Sequence, residues 1–190
     1  MSGNLQSRRT LRTQTAIRNA FAGLLTEKEL HKITVQELVD RADVGRATFY
    51  KHYLDIYDLY EKIESNTLTE IAALVLRTGE EPVADFFRDL LSYISNNRAV
   101  FKMIFSPNIT AQLYVKLSDM IEGMFRQVES EKTGRSVDDR QLEFINGYRV
   151  QGCLSVISKW AQNDFADSQE HILKTIILLD NSTTGLLYSP

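Results

Sequence analysis

The segment from Thr34 to Tyr53, TVQELVDRADVGRATFYKHY, restricts the possible folds of this chain more than any other. Thr34 suits a helix N-cap, and Glu37 three residues later completes a capping box, so a short helix is predicted from Val35 to about Ala42. Asp43-Val44-Gly45 breaks it, and Arg46 to His52 reads as a second short helix. Leu38, Ala42, Val44 and Phe49 fall on the inner faces, while Arg46, Thr48, Lys51 and His52 are left outside. Two short helices around a tight turn, apolar within and cationic on the outer face of the second, make the helix-turn-helix pattern. A plain surface hairpin shares the two helices and the turn. It does not call for the inner-face pattern and the cationic outer face together.

The rest of the chain continues in helices. Three prolines and nine glycines interrupt 190 residues, and no run of β-branched residues alternates with period two. A first helix is expected from about Thr10 to Glu27, with Ile17, Phe21, Leu24 and Leu25 on one face, followed by a polar break at Glu29 to Lys32. A longer helix starts at the cap Asp55 and runs to Arg77, burying Ile56, Leu59, Ile63, Leu68, Ile71, Leu74 and Val75. Thr78-Gly79-Glu80-Glu81-Pro82 ends it, with Gly suited to close one helix and Pro to open the next. Helices are then expected at Val83–Asn96, Arg98–Phe105, Ile109–Lys132, Asp138–Asn163 and Ser168–Asn181, before a loosely held tail from Ser182. The fold class is therefore all-α, with about nine helices. A three-helix helix-turn-helix domain occupies residues 1–54, and a helical bundle occupies 55–190. The helix 55–77 connects the two.

Charge is unevenly shared. Residues 1–53 hold nine Lys/Arg and five Asp/Glu, 9 - 5 = +4, while residues 54–190 hold thirteen and twenty, 13 - 20 = -7. A basic N-terminal quarter on an acidic body places any nucleic-acid footprint at one end. No apolar run approaches the ~20 residues that span a bilayer, so no membrane partner is expected. The start lacks the apolar stretch of a signal peptide, and the lone Cys153 cannot form an internal disulfide; a cytoplasmic protein is expected. His31, His52 and His171 are far apart, Cys153 has no neighbouring His, and no Gly-rich phosphate loop is present. Neither an enzyme, a cofactor nor a metal site is expected.

The stretch ITVQELVDRADVGRATFYKHYLDIYDLY, from Ile33 to Tyr60, resembles the N-terminal DNA-binding domain of TetR-type regulators. Ile33, Thr34, Val35, Ala42, Val44, Arg46, Thr48, Phe49, Tyr50, His52 and Tyr53 carry the resemblance, which covers about the first sixty residues. With Trp160 late in a long penultimate helix, the C-terminal part resembles the short sensor domain of Firmicute-type members. Three positions depart from the pattern. Asp43 stands where Gly is usual, Gly45 where Ser or Thr usually caps the recognition helix, and Ile56 where a phosphate-touching Lys often opens the next helix.

Roles follow by position. Arg46 and Thr48 lie at the N-terminal end of the recognition helix, where side chains reach base edges, and Arg46 equally suits a phosphate. Gly45 caps that helix, and Ala47 is small enough to admit a thymine methyl. Thr34, at a helix N-terminus, suits a phosphate. The resemblance implies that Tyr50, Lys51, His52 and Tyr53 hold the DNA backbone. Arg8, Arg9 and Arg12 are expected to form a flexible arm ahead of the first helix. For an effector pocket, Phe86, Tyr93, Tyr114, Met124 and Tyr148 combine soft apolar surface with phenols that want a partner. The resemblance also implies a homodimer through the last two helices. The expected stripes are Val150, Leu154, Ile157 and Ala161 with Trp160 beside them, and Ile172, Ile176 and Leu179. The expected partners are thus a palindromic operator in double-stranded DNA, a second copy of the chain and a small-molecule effector. A repressor is the leading expectation. An activator of the same architecture, or a protein–protein module that has lost DNA binding, are the alternatives.

Overall fold

The computed structural model of the chain describes residues 2–77, 83–106, 112–134 and 140–184. Among the described residues there are nine α-helices and one 3₁₀ turn, Leu30–Lys32, and no strand. In chain order the helices are α1 Ser2–Glu27, α2 Val35–Ala42, α3 Arg46–Tyr50, α4 Ile56–Arg77, α5 Val83–Asn96, α6 Arg98–Ile104, α7 Gln112–Thr133, α8 Arg140–Gln162 and α9 Gln169–Thr184. The predicted breaks at 78–82, at Pro107-Asn108 and at Arg135-Ser136 lie outside the described residues. So do the predicted helix starts Ile109 and Asp138 and the tail from 185 onward. One expectation fails at the N-terminus: α1 begins at Ser2, not near Thr10, so Arg8, Arg9 and Arg12 lie in a helix rather than a flexible arm. The opening residues contain no proline and include Leu, Gln and Arg, all good helix formers, so nothing stops the helix there.

The chain divides into two compact units, Met1–Thr67 with Ala99–Thr110, and Leu68–Arg98 with Ala111–Pro190. The division falls inside α4, between Thr67 and Leu68. Within the first unit α1 packs on α2 and α2 on α3. Ile17, Phe21, Leu24 and Leu25 of α1, Leu38 and Val39 of α2, Phe49 of α3, and Ile56, Leu59 and Ile63 of α4 are all buried. Leu68, Leu74 and Val75, expected inside, are only half-buried. Thr67 is buried instead, its hydroxyl donating to the Ile63 carbonyl at 2.8 Å. That bond within the helix satisfies a polar group no apolar pattern would place in a core.

Within the second unit α8 packs against α7 and α9, and α9 against α5. Phe86, Phe87, Leu90, Leu91 and Ile94 line the buried face of α5. The turn after α8 is tied down by its aromatics. Asp164 and Phe165 both take φ of 55°, a left-handed conformation costly for a bulky residue. The Phe165 amide donates to the Trp160 carbonyl at 2.8 Å, and the two rings meet edge to face with centroids 5.0 Å apart. Trp160 Nε1 donates to the Asp167 carbonyl at 2.9 Å, so the indole is packed and paired within its own chain.

A charged cluster sits in this core. Arg149 of α8 is 3% exposed; its Nε and Nη2 meet the two Asp180 oxygens of α9 at 2.9 and 3.1 Å, and Nη1 meets Glu129 of α7 at 3.1 Å and Asn146 at 3.0 Å. The guanidinium also lies 4.6 Å from the centre of the Phe125 ring. Burial works to lower the Arg149 pKa, but the hydrogen bonds and charges of Asp180 and Glu129 outweigh it and raise it. One planar, forked cation thus joins three helices of the unit.

Candidate nucleic-acid interface

Thr34 caps α2 as expected, its Oγ1 accepting the Glu37 amide at 3.2 Å. The Glu37 carboxylate is paired with Lys28 Nζ, which links α2 to the end of α1. At its other end α2 closes in a Schellman turn. The Val44 amide donates to the Val39 carbonyl at 3.0 Å and the Asp43 amide to the Asp40 carbonyl at 3.3 Å. Asp43 takes φ 52° and ψ 49°, the left-handed conformation that glycine adopts without strain and that Asp tolerates better than most residues. The departure at Asp43 therefore leaves the turn geometry intact. Gly45 caps α3 with its carbonyl, which accepts the Thr48 and Phe49 amides at 2.8 and 3.1 Å, and has no side chain to add a further bond.

This turn fixes which side of α3 faces out. Phe49 is fully buried, with Tyr50 and Tyr53 ring centres 5.3 and 5.5 Å from its own. Arg46, Ala47, Tyr50 and Lys51 are exposed, and Thr48 and His52 are half-buried. Eight of the nine predicted contact residues therefore keep some surface. Tyr53 keeps little: it is 6% exposed, packed on Phe49 and beneath Lys62 Nζ at 5.3 Å. Burial pushes its phenol above the usual tyrosine range, with Asp58 adding to the rise and Arg18 opposing it. The ring belongs to the core because it fills the space between α3 and α4, and only its margin reaches the surface.

The link from α3 to α4 is held by Asp55, the expected cap, together with Asp58 and Lys62, which the sequence did not single out. Asp55 Oδ1 accepts the Asp58 amide at 2.8 Å, and Asp58 Oδ2 accepts the Leu54 amide at 2.9 Å. Lys62 Nζ donates to Asp58 at 2.9 Å and to the His52 carbonyl at 3.0 Å. The Leu54 amide and Lys62 hold the Asp58 carboxyl below the usual carboxylate range. Ile56, at the position where the family often has a lysine, is buried at 5%, as its place on the apolar face of α4 leads one to expect.

The expected effector residues differ in exposure. Phe86 and Met124 are core residues, and Tyr93 and Tyr114 are half-buried. Tyr114 already has a protein partner, its hydroxyl donating to Gln151 Oε1 at 2.8 Å. Tyr148 is 72% exposed and lies on the outside of α8. The expected dimer stripe is covered within the single chain, apart from Leu179. Val150, Leu154, Ile157, Trp160 and Ala161, with Ile172 and Ile176, are all at or below 6% exposure within the single chain. A 3.6-residue stripe marks a buried face without saying what buries it. Leu179 alone of that set is exposed, at 47%. It shares a surface depression with Tyr148, Gly152 and Thr183, and Phe144 and Leu178 are exposed at 65% and 68%.

Among the described residues no group of three or more His, Cys, Asp or Glu is placed to hold a metal ion. Burial, with Asp180 nearby, pushes the Cys153 thiol up to about 12, so it stays protonated at neutral pH. Among the described residues no helix is long and apolar enough to cross a membrane.

Residues 81–181 match the TetR-type transcriptional regulator C-terminal region. A stretch of 65 residues, 34% of this chain, is 34% identical to the uncharacterised HTH-type transcriptional regulator YxbF of Bacillus subtilis (strain 168), and this chain spans 17% of that protein's length. Among solved structures the fold is similar to a TetR transcriptional regulator of Streptococcus agalactiae, with TM-score 0.56 at 20% identity over 94% of this chain and 98% of that one. It is also similar to the transcriptional regulator FadR of Bacillus subtilis in complex with stearoyl-CoA, with TM-score 0.58 at 13% identity over 87% and 96%. At those identities the two structures speak for the fold. The sequence match spans more than half the chain and identifies a regulator, not an enzyme: this chain belongs to the TetR family of transcriptional regulators.

Proposed function

We propose that the protein is a homodimeric, ligand-responsive repressor that reads a palindromic operator through α3. The observation that carries this reading is the outer face of α3. The Schellman turn at Asp43 and the buried Phe49 leave Arg46, Ala47, Tyr50 and Lys51 exposed together on a basic unit. Arg46 at the start of the helix suits the O6 and N7 of a guanine, and Lys51 suits a phosphate. Arg46→Ala should weaken operator binding by ~1–3 kcal/mol, about 5- to 150-fold, and leave random DNA nearly unaffected. Lys51→Ala should weaken binding to every sequence and flatten the salt slope by about one unit. Electrophoretic shifts at several salt concentrations check both. Equal losses on operator and random DNA for Arg46→Ala would reduce Arg46 to a phosphate contact. No shift with any DNA from beside its own gene would favour the protein–protein module. A reporter whose expression falls when the gene is deleted would make the regulator an activator.

For the dimer, the reading moves to the exposed outer face of α8 and α9: Phe144, Tyr148, Leu178 and Leu179. Gly152 supports close approach there, since nothing lies within 4 Å of where its Cβ would stand. Two copies related by a two-fold axis would present reading heads to successive major grooves about 34–36 Å apart. Tyr148→Glu combined with Leu179→Glu should give monomers in sedimentation, because the apolar seam would then bury charge. An unchanged dimer would place the interface elsewhere. Effector control is supported by the relative crystallised with stearoyl-CoA and by the buried aromatic and Met side chains of α5 and α7, Phe86, Phe87, Met124 and Phe125. An effector shifts the DNA-bound population only by its differential affinity for the two states, and operator must change effector affinity by the same factor.

A further inference from the structure

The first unit contains a polar cavity that none of the exposed Arg46, Ala47, Tyr50 and Lys51 lines. It has a volume of about 380 Å³ and lies among Leu11, Gln14, Thr15 and Arg18 of α1, His52 and Tyr53 after α3, and Lys62 and Asn66 of α4. Its lining residues include two permanent cations, Arg18 and Lys62, and no carboxylate. Arg18 Nε is withdrawn from solvent with no hydrogen-bond partner. A buried donor on a charged group is costly to leave unsatisfied, so this one calls for an explanation. Lys62 spends two donors on Asp58 and the His52 carbonyl, which leaves one of its three N–H bonds. Gln14, Tyr53 and Asn66 are neutral polar residues of the same lining, and the Arg18 charge acts on the Tyr53 phenol.

We propose that this cavity is a phosphate-binding site, with Arg18 as the forked donor and Lys62 as the second charge. The guanidinium fork matches two phosphate oxygens, and a turn of that fork toward the cavity would satisfy the orphaned Nε–H. A carboxylate-free lining favours an anion over a cation or an apolar effector. The phosphate has two chemical sources, the DNA backbone and a free phosphate ester, and the same residues serve either. The site does not depend on base reading by Arg46, which lies outside the cavity lining.

Inorganic phosphate is titrated into the full-length protein at constant ionic strength against chloride, and the melting temperature is followed without DNA. A saturable rise is expected. Arg18→Gln should weaken the response about tenfold, as loss of a charge-assisted pair predicts, while Arg46→Ala keeps it. The salt dependence of DNA binding then separates the sources. A slope lower by about one unit in Arg18→Gln assigns the site to backbone phosphate, and an unchanged slope with a lost phosphate response assigns it to a free ester. A phosphate response and a DNA slope both unchanged in folded Arg18→Gln would overturn the proposal. If Arg18→Gln does not fold, Asn66→Glu brings a carboxylate to the cavity and should abolish the phosphate response; an intact response there would overturn it equally.

Discussion

Arg149→Ala is expected to destabilise the protein by about 3–5 kcal/mol, because it leaves two carboxylates buried without their shared cation. Glu129 and Asp180 are 1% and 5% exposed at the side chain, and Arg149 meets both. The size of the effect comes less from the attraction lost than from desolvated charge left behind. Urea unfolding followed by circular dichroism measures it as a lowered midpoint. Arg149→Met combined with Glu129→Gln and Asp180→Asn should recover a large part of the loss, since no bare charge then remains inside. A loss below about 1 kcal/mol for Arg149→Ala would mean that water reaches the carboxylates and that the cluster is not a true core element.

Phe49→Ala is expected to cost about 3–5 kcal/mol, the usual range for emptying a buried aromatic site. Phe49 is the only buried residue of α3, and two further aromatic rings lean on it. A five-residue helix has almost no stability of its own, so its orientation rests on that one anchor. DNA binding should therefore disappear at temperatures where circular dichroism still reports most of the helix content. Thermal melts paired with electrophoretic shifts check this. Full DNA affinity in a destabilised Phe49→Ala protein would show that α3 is held by its caps and neighbours rather than by the ring.

Local chemistry made much of this protein legible from its residues. The bounds of α2 and α5 follow from caps, glycines and apolar spacing, and agree with the structure to the residue. The turn at Asp43 was legible too, since few residues other than Gly, Asn and Asp enter the left-handed region readily. The outward side of α3 followed once Phe49 was assigned to the core. These features are decided within a few residues of chain, where spacing and side-chain type carry the information.

What failed or went unseen depends on groups far apart in sequence. The stripe Val150, Leu154, Ile157 and Ala161 reads identically whether its own α7 and α9 cover it or a second copy does; the folded chain covers it itself. Tyr53 sits among polar neighbours and reads as a surface contact until Phe49 and Lys62 close over its ring. Arg149, Glu129 and Asp180 are separated by 20 and 31 positions, and each alone resembles an ordinary surface charge. Arg18 and Lys62 become one site only because α1 and α4 bring them to the same cavity. Sequence alone determined most of the helices, the turn at Asp43 and the basic N-terminal quarter, because those are set by local propensity, periodicity and composition. Tertiary packing decided which apolar faces stay free and which charges meet, because burial and Coulomb interactions act on distance through space and not on position along the chain.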